Sequence, residues 1–149
     1  MHPFLYLTIN TVSAFFATLC FSILFHVPKK HLVVCGAVGA LGWGLYTGGI
    51  LLDYSDVFSS FIGAFAVAES SYFLAKSRCA PVTVFLISGI IPLVPGISLY
   101  RTMYHLLFAD YRHALDTALA AFQISGVIAG AIILAALLPL LFRPQRQKL

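Results

Sequence analysis

The stretch ISGIIPLVPGISLYRTMY, Ile87 to Tyr104, is almost wholly apolar, yet it carries Pro92, Pro95 and Gly96 at its centre and Arg101 five residues later. Proline removes a backbone donor and clashes with the carbonyl four residues back. Two prolines three apart, followed by glycine, therefore interrupt a helical hydrogen-bond ladder and do not merely bend it. Pro92 lies ten residues past Val82, where the apolar run begins, so roughly 15 Å into a helix. That is near the middle of a bilayer. Backbone freed at that depth persists only where protein covers it or where it lines a cavity.

Composition places the chain in a bilayer. Its 149 residues are 60% hydrophobic and 9% charged, against about 25% charged in a soluble domain. The net charge of +4 does not point to nucleic acid, because the basic residues fall in short runs between apolar segments and form no basic face with interleaved aromatics. Five apolar segments follow one another, at approximately 3–25, 32–52, 57–75, 82–107 and 118–142, ahead of a basic tail at 143–149. A spanning helix needs about 20 apolar residues. The first segment reads as a span and not as a signal peptide, since no Lys or Arg precedes Lys29.

The connecting charges orient these spans. Lys29 and Lys30, Lys76 and Arg78, and Arg143, Arg146 and Lys148 make up seven of the nine basic residues, and all fall on one side if the five spans alternate. The opposite loops, DYSD at 53–56 and ADYRHALD at 109–116, hold all four aspartates and only Arg112. The positive-inside rule then puts the N-terminus outside and the C-terminus in the cytoplasm. The expected fold is an all-α, multi-pass protein of the cytoplasmic membrane, a single domain of five transmembrane helices with the fourth broken at Pro92–Gly96.

An odd number of spans leaves the two ends of a unit on opposite sides, so a pair of such units can be arranged with inverted topology around a substrate site. At 16 kDa the chain is small for enclosing a pathway alone. A second membrane subunit is therefore the expected partner, and a homo-oligomer is the other arrangement considered. Gly36, Ala40, Gly44 and Gly48 recur every four residues along one face of the second span, with Gly39, Gly42 and Gly49 widening the stripe, and Gly126 and Gly130 form a GxxxG in the fifth. Small residues of this kind let helix backbones approach closely.

The broken span exposes the start of a second half-helix near Gly96, whose partial positive charge attracts anionic groups, with Ser98 offering a hydroxyl beside the freed amides. Pro92, Pro95, Gly96 and Ser98 are thus candidate substrate-binding residues, and Arg101 joins them as a guanidinium shaped to clamp a carboxylate. The plain alternative for Arg101 is snorkelling to headgroups or pairing with Asp110 or Asp116. Glu69 lies roughly 9 Å inside the basic end of the third span, where a carboxylate is costly and faces a cavity or a partner. Two roles stay open for it: a proton carrier, helped by Ser70 and Ser71, or an ion pair with Lys76 or with an arginine of a partner subunit. Asn10, Thr11 and Ser13 form a polar patch in the first span, Tyr100 and Tyr104 share a face, and Asp53 and Asp56 read as a solvated loop.

The run SGIIPLVPGISLYRTMYHLL, with the preceding AVAESSYFLAKSRCAPVTVFL, resembles the threonine/serine exporter family, specifically its small C-terminal membrane unit. The likeness extends over nearly the whole chain in span number and length, and its specific part is the PLVPG-centred segment. It implies secondary export of small carboxylated metabolites. Fused members join an N-terminal unit to this one; split members place the two on separate chains, and some split systems are associated with succinate. The chain resembles the small subunit of a split system, which implies a second subunit like the N-terminal unit; the expected coupling to protons rests on Glu69.

No metal or other cofactor is expected. The histidines have no spacing that sets two imidazoles and a carboxylate on one helix face, and Cys20, Cys35 and Cys79 are spread over two spans and a basic loop. An integral membrane enzyme would need a nucleophile, base or metal constellation at one depth, and none is legible. The reading that competes with a transporter subunit is a scaffold subunit without a pathway role. It accounts for the glycine stripes and leaves Glu69 and PLVPG as structural features.

Overall fold

The computed structural model describes residues 3–141, with side chains over 4–138; the basic tail at 143–149 lies outside the described residues. Among the described residues six helices form: α1 (Pro3–Leu24), α2 (Leu32–Leu51), α3 (Asp56–Arg78), α4 (Val82–Ile90), α5 (Gly96–Leu107) and α6 (Tyr111–Leu141). Short 3₁₀ turns precede α2 (Lys29–His31) and follow α4 (Ile91–Leu93). Four helices are long and apolar enough to cross a membrane alone. Val82–Leu93 and Gly96–Leu107 pass together, bent by 52° at the break.

This bend fits a broken crossing. Each arm is about 18 Å long, and the second arm, inclined at 52°, adds roughly 11 Å along the first. Their sum of about 30 Å matches the hydrocarbon core. The neighbours agree: the start of α4 packs its Phe85 against Cys35 and Ala75 near the lysine-bearing end. Arg101 of α5 shares a cavity with Asp56, the first residue of α3, at the aspartate-bearing end.

Helices α1, α2, α3 and α6 pack in that order, α4 lies over the seam between α2 and α3, and α5 rests on α6. Glycines set these spacings. A Cβ at Gly39 would overlap Thr18, one at Gly42 would overlap Val67, and one at Gly89 would stand 2.7 Å from Val38. Gly36 faces Phe15 and Gly44 faces Thr11, so the predicted stripe borders α1 over part of its length. A Cβ built at Gly48, Gly126 or Gly130 meets nothing within 4 Å. Three buried hydroxyls bond within their own helix, Ser22 to Thr18 O and Ser71 to Val67 O at 2.7 Å each and Ser88 to Val84 O at 3.1 Å, whereas those of Thr18 and Ser59 have no hydrogen-bond partner.

One loop is shorter than the sequence pattern indicates. The stretch 109–116 is mostly the first turns of α6, because Asp110 caps the helix: its carboxylate accepts the His113 backbone N–H at 3.4 Å. The turn before it is closed by Ala109 at φ 57°.

Candidate functional site

The break is built from Ile91 to Gly96. Pro92 cannot give Ser88 the N–H that an unbroken helix would supply. Val94 is extended, at φ −61° and ψ 132°. Pro95, at φ −75° and ψ 57°, centres a tight three-residue turn in which Gly96 N–H donates to Val94 O at 2.7 Å. Helix α5 then starts without any side-chain cap. Its first regular bond is Leu99 N–H to Pro95 O at 3.1 Å, which leaves the Ile97 and Ser98 amides as the donors of the first turn.

These groups open on a cavity of about 430 Å³, within the size range of small-molecule sites. All five residues that the sequence marks for the substrate, Pro92, Pro95, Gly96, Ser98 and Arg101, line it. Four more polar or aromatic residues complete the wall: Trp43 and Tyr46 of α2, and Asp56 and Ser60 of α3. The Trp43 and Tyr46 rings pack with centroids 5.0 Å apart. Ser60 is buried. A second, shallower recess on the far side of Pro92 and Trp43 is lined by Asn10 and Ser13 of the α1 polar patch.

Asp56 is the wall residue whose role the sequence pattern misses. It reads as loop, yet it opens α3, where Ser55 caps the helix by accepting Phe58 N–H at 3.3 Å. The Ser55–Asp56 pair ahead of an apolar run was the available signal for a helix start. Among the described residues, the ion-pair contacts of Asp110 go to His113 at 2.8 Å and His105 at 3.6 Å, and Arg101 has none. The predicted alternative pairings of Arg101 with Asp110 or Asp116 therefore do not form. The cavity holds one cation and one anion, unpaired, on different helices.

Glu69 does not reach this cavity. It lies in a separate groove between α2 and α3, with Ser70 and Phe73 on its own helix and Val33, Ala37 and Leu41 opposite. Its Oε1 is buried without a hydrogen-bond partner. Ser71, proposed from sequence as a neighbour for it, turns inward to Val67 O, and no ion pair joins Glu69 to Lys76 among the described residues. No group of three or more His, Cys, Asp or Glu that could hold a metal occurs among the described residues. The three cysteines are unbridged.

Several helices long and apolar enough to span a membrane, one of them broken beside a cavity with charged and hydroxyl groups, define an all-helical membrane protein. The chain belongs to the threonine/serine exporter, ThrE, family, whose model matches residues 10–138. It is also similar to a Haemophilus influenzae protein named only as an uncharacterized protein, with 29% identity over 133 residues, 85% of this chain and 44% of that protein. The chain thus spans less than half the length of that relative. No solved structure gives a significant match.

Proposed function

We propose that this chain is one membrane unit of a proton-driven secondary exporter in the cytoplasmic membrane, that it moves small α-amino acids of the threonine and serine type, and that the cavity beside the Pro92–Gly96 break is its substrate site. The observation that carries this reading is that one cavity is lined by unpaired opposite charges: Arg101 and the α5 amides from one helix, Asp56 from another. A zwitterion fits such a wall. Its carboxylate meets the guanidinium and the helix N-terminus, where anions are favoured, and its ammonium meets the Asp56 carboxylate. Ser60, Ser98 and Tyr46 offer hydroxyls for a side-chain hydroxyl. A dicarboxylate such as succinate would set one of its charges against Asp56, so the cavity favours the amino acid.

The second half of the pathway comes, in this proposal, from a further membrane unit. Support comes from length: the Haemophilus influenzae relative is more than twice as long as the part this chain matches. Labelled flux in proteoliposomes holding this chain with that unit, under an imposed proton gradient, tests the reading. Threonine or serine flux that exceeds succinate flux, and that Arg101→Gln and Asp56→Asn each lower, supports it. Succinate flux with no amino-acid flux overturns the substrate assignment, and no flux from an intact complex supports the scaffold reading.

A further inference from the structure

The seam between α2 and α3 has two sides. One is filled: Gly89 of α4 lies against Val38 and Val67, and Leu93 sits over Gly42 and Gly63. The other is the groove of about 630 Å³ that holds Glu69. Its rim faces outward, with Val33 65%, Leu41 45% and Phe73 73% exposed. Three apolar side chains open to lipid are ordinary for a membrane helix. A carboxylate oxygen buried among them without a partner is not, because a charged group at such depth is expensive unless something neutralises it.

A proton or a cation can neutralise it, and no cation of the described residues is placed to do so. Glu69 lies nine residues before Arg78, the end of α3, so about 13 Å along the helix from it. The described cations sit elsewhere: Lys29, Lys30, Lys76 and Arg78 gather at one end of the bundle, and Arg101 and Arg112 belong to the other. None lies at the depth of Glu69. A lipid does not supply the complement either, since acyl chains carry no donor and headgroup cations stay at the interface. A helix that lies in the groove and carries a lysine or arginine at this level supplies both the apolar contact and the charge.

We infer that the open side of the α2–α3 seam is the docking face for a transmembrane helix of the second membrane unit, and that this helix carries a basic side chain opposite Glu69. The inference rests on the two-unit reading above and adds the place of contact and its chemistry. It assigns Glu69 to assembly, the second of the two roles its position leaves open. The small Ala37 on the groove floor leaves room for the incoming side chains.

The test is photocrosslinking of the full chain in the membranes of its own host, with p-benzoylphenylalanine at Ala37 or Phe73 in the groove and at Ile133 as a control on α6. The expected result is a groove-specific crosslink. Mass spectrometry maps it to an apolar segment of about 20 residues, outside residues 1–149, that contains a lysine or arginine. Glu69→Gln lowers its yield about tenfold, and Glu69→Arg combined with the mapped cation changed to Glu restores it. Val33→Trp, which fills the groove and leaves the carboxylate intact, also removes it. Crosslinks only to lipid, to a second copy of this chain or to its own tail overturn the inference, as does a yield unchanged by Glu69→Gln. The readout needs no substrate, so its failure leaves the cavity's substrate reading standing, and a failed flux assay leaves the interface open to this test.

Discussion

Gly42 and Gly63 bring α2 and α3 into backbone contact: a Cβ on Gly63 would stand 2.7 Å from the Gly42 carbonyl oxygen. Leu93, from the 3₁₀ turn before the break, covers the same point, 3.1 Å from that Cβ position. This backbone contact is therefore also what seats the break, and packing at the seam sets the position of the cavity.

Gly63→Ala should accordingly destabilise the protein by about 1–3 kcal/mol, the usual range for overpacking a close contact. Backbone oxygen cannot move aside as a side-chain tip can. Gly48→Ala, whose Cβ meets nothing within 4 Å, is the matched control and should leave stability unchanged or slightly raised. Thermal unfolding of the purified protein in detergent reads both. Equal losses for the two variants would deny the seam this role.

Replacing both prolines of the break, Pro92→Ala with Pro95→Ala, should restore a continuous helix from Val82 to Leu107. Each alanine returns the N–H that proline lacks and removes its clash with the preceding turn. Helical content should rise by circular dichroism while the bundle stays folded. On the proposed reading, threonine flux by the two-unit complex should fall by about tenfold or more, because a misplacement of about 1 Å at a binding constellation costs on the order of a hundredfold. Retained flux in a straightened span would move the substrate site away from the break.

The spans and the break were legible because both rest on local chemistry: long apolar runs form helices in lipid, and two prolines three apart in mid-span remove consecutive links of the ladder. The cavity was half legible. Pro92, Pro95, Gly96, Ser98 and Arg101 are close in sequence and line one wall, whereas Trp43, Tyr46, Asp56 and Ser60 arrive from two other helices. Which faces of α2 and α3 turn towards the break depends on tertiary packing, which no sequence period encodes. The separation of Glu69 from the cavity was hidden for the same reason. Its depth along α3 follows from counting residues, but its side of the helix does not predict which groove receives it. The α6 start was misread because an aspartate in a polar loop and an aspartate capping a helix look alike until the His113 amide is placed.

Among the described residues, four left-handed residues close turns, and none of them is glycine: His26, Asp53, Cys79 and Ala109. The left-handed conformation costs a residue with a Cβ about 1–2 kcal/mol, least for Asn and Asp. Ala109, at φ 57°, has no polar side chain to offset the strain. Ala109→Gly should raise stability by up to about 1 kcal/mol after the greater freedom of glycine in the unfolded chain is discounted. Asp53→Gly should do less. A loss of stability in Ala109→Gly, measured by the same thermal unfolding, would mean that the methyl group makes a contact worth more than the strain.

The turn that Ala109 closes is also where protonation acts on the fold. His113 Nδ1 lies 2.8 Å from Asp110 Oδ2, and the His105 ring stacks on that of His113 with centroids 5.5 Å apart. Both members of the pair precede the apolar part of α6. The hydrogen bond to Asp110 holds His113 above its ordinary 6.5, and the same bond holds Asp110 below its ordinary 3.8. A raised histidine contributes stability that is fully present below 6.5 and is lost as pH rises through its folded value. A lowered aspartate contributes stability that is present above 3.8 and is lost as pH falls through its folded value. The α5–α6 turn is therefore firmest between those limits and loosens on both sides. NMR titration of the His113 ring in detergent should give a midpoint above 6.5, and Asp110→Asn should return it towards the ordinary value. An unshifted midpoint in the unaltered protein would show that the pair does not form. A shift that survives Asp110→Asn would assign its cause to Asp116. Because α5 carries Arg101 and rests on α6, the same titration should appear in the pH dependence of threonine affinity, weakening as His113 loses its proton, and should be absent in His113→Gln.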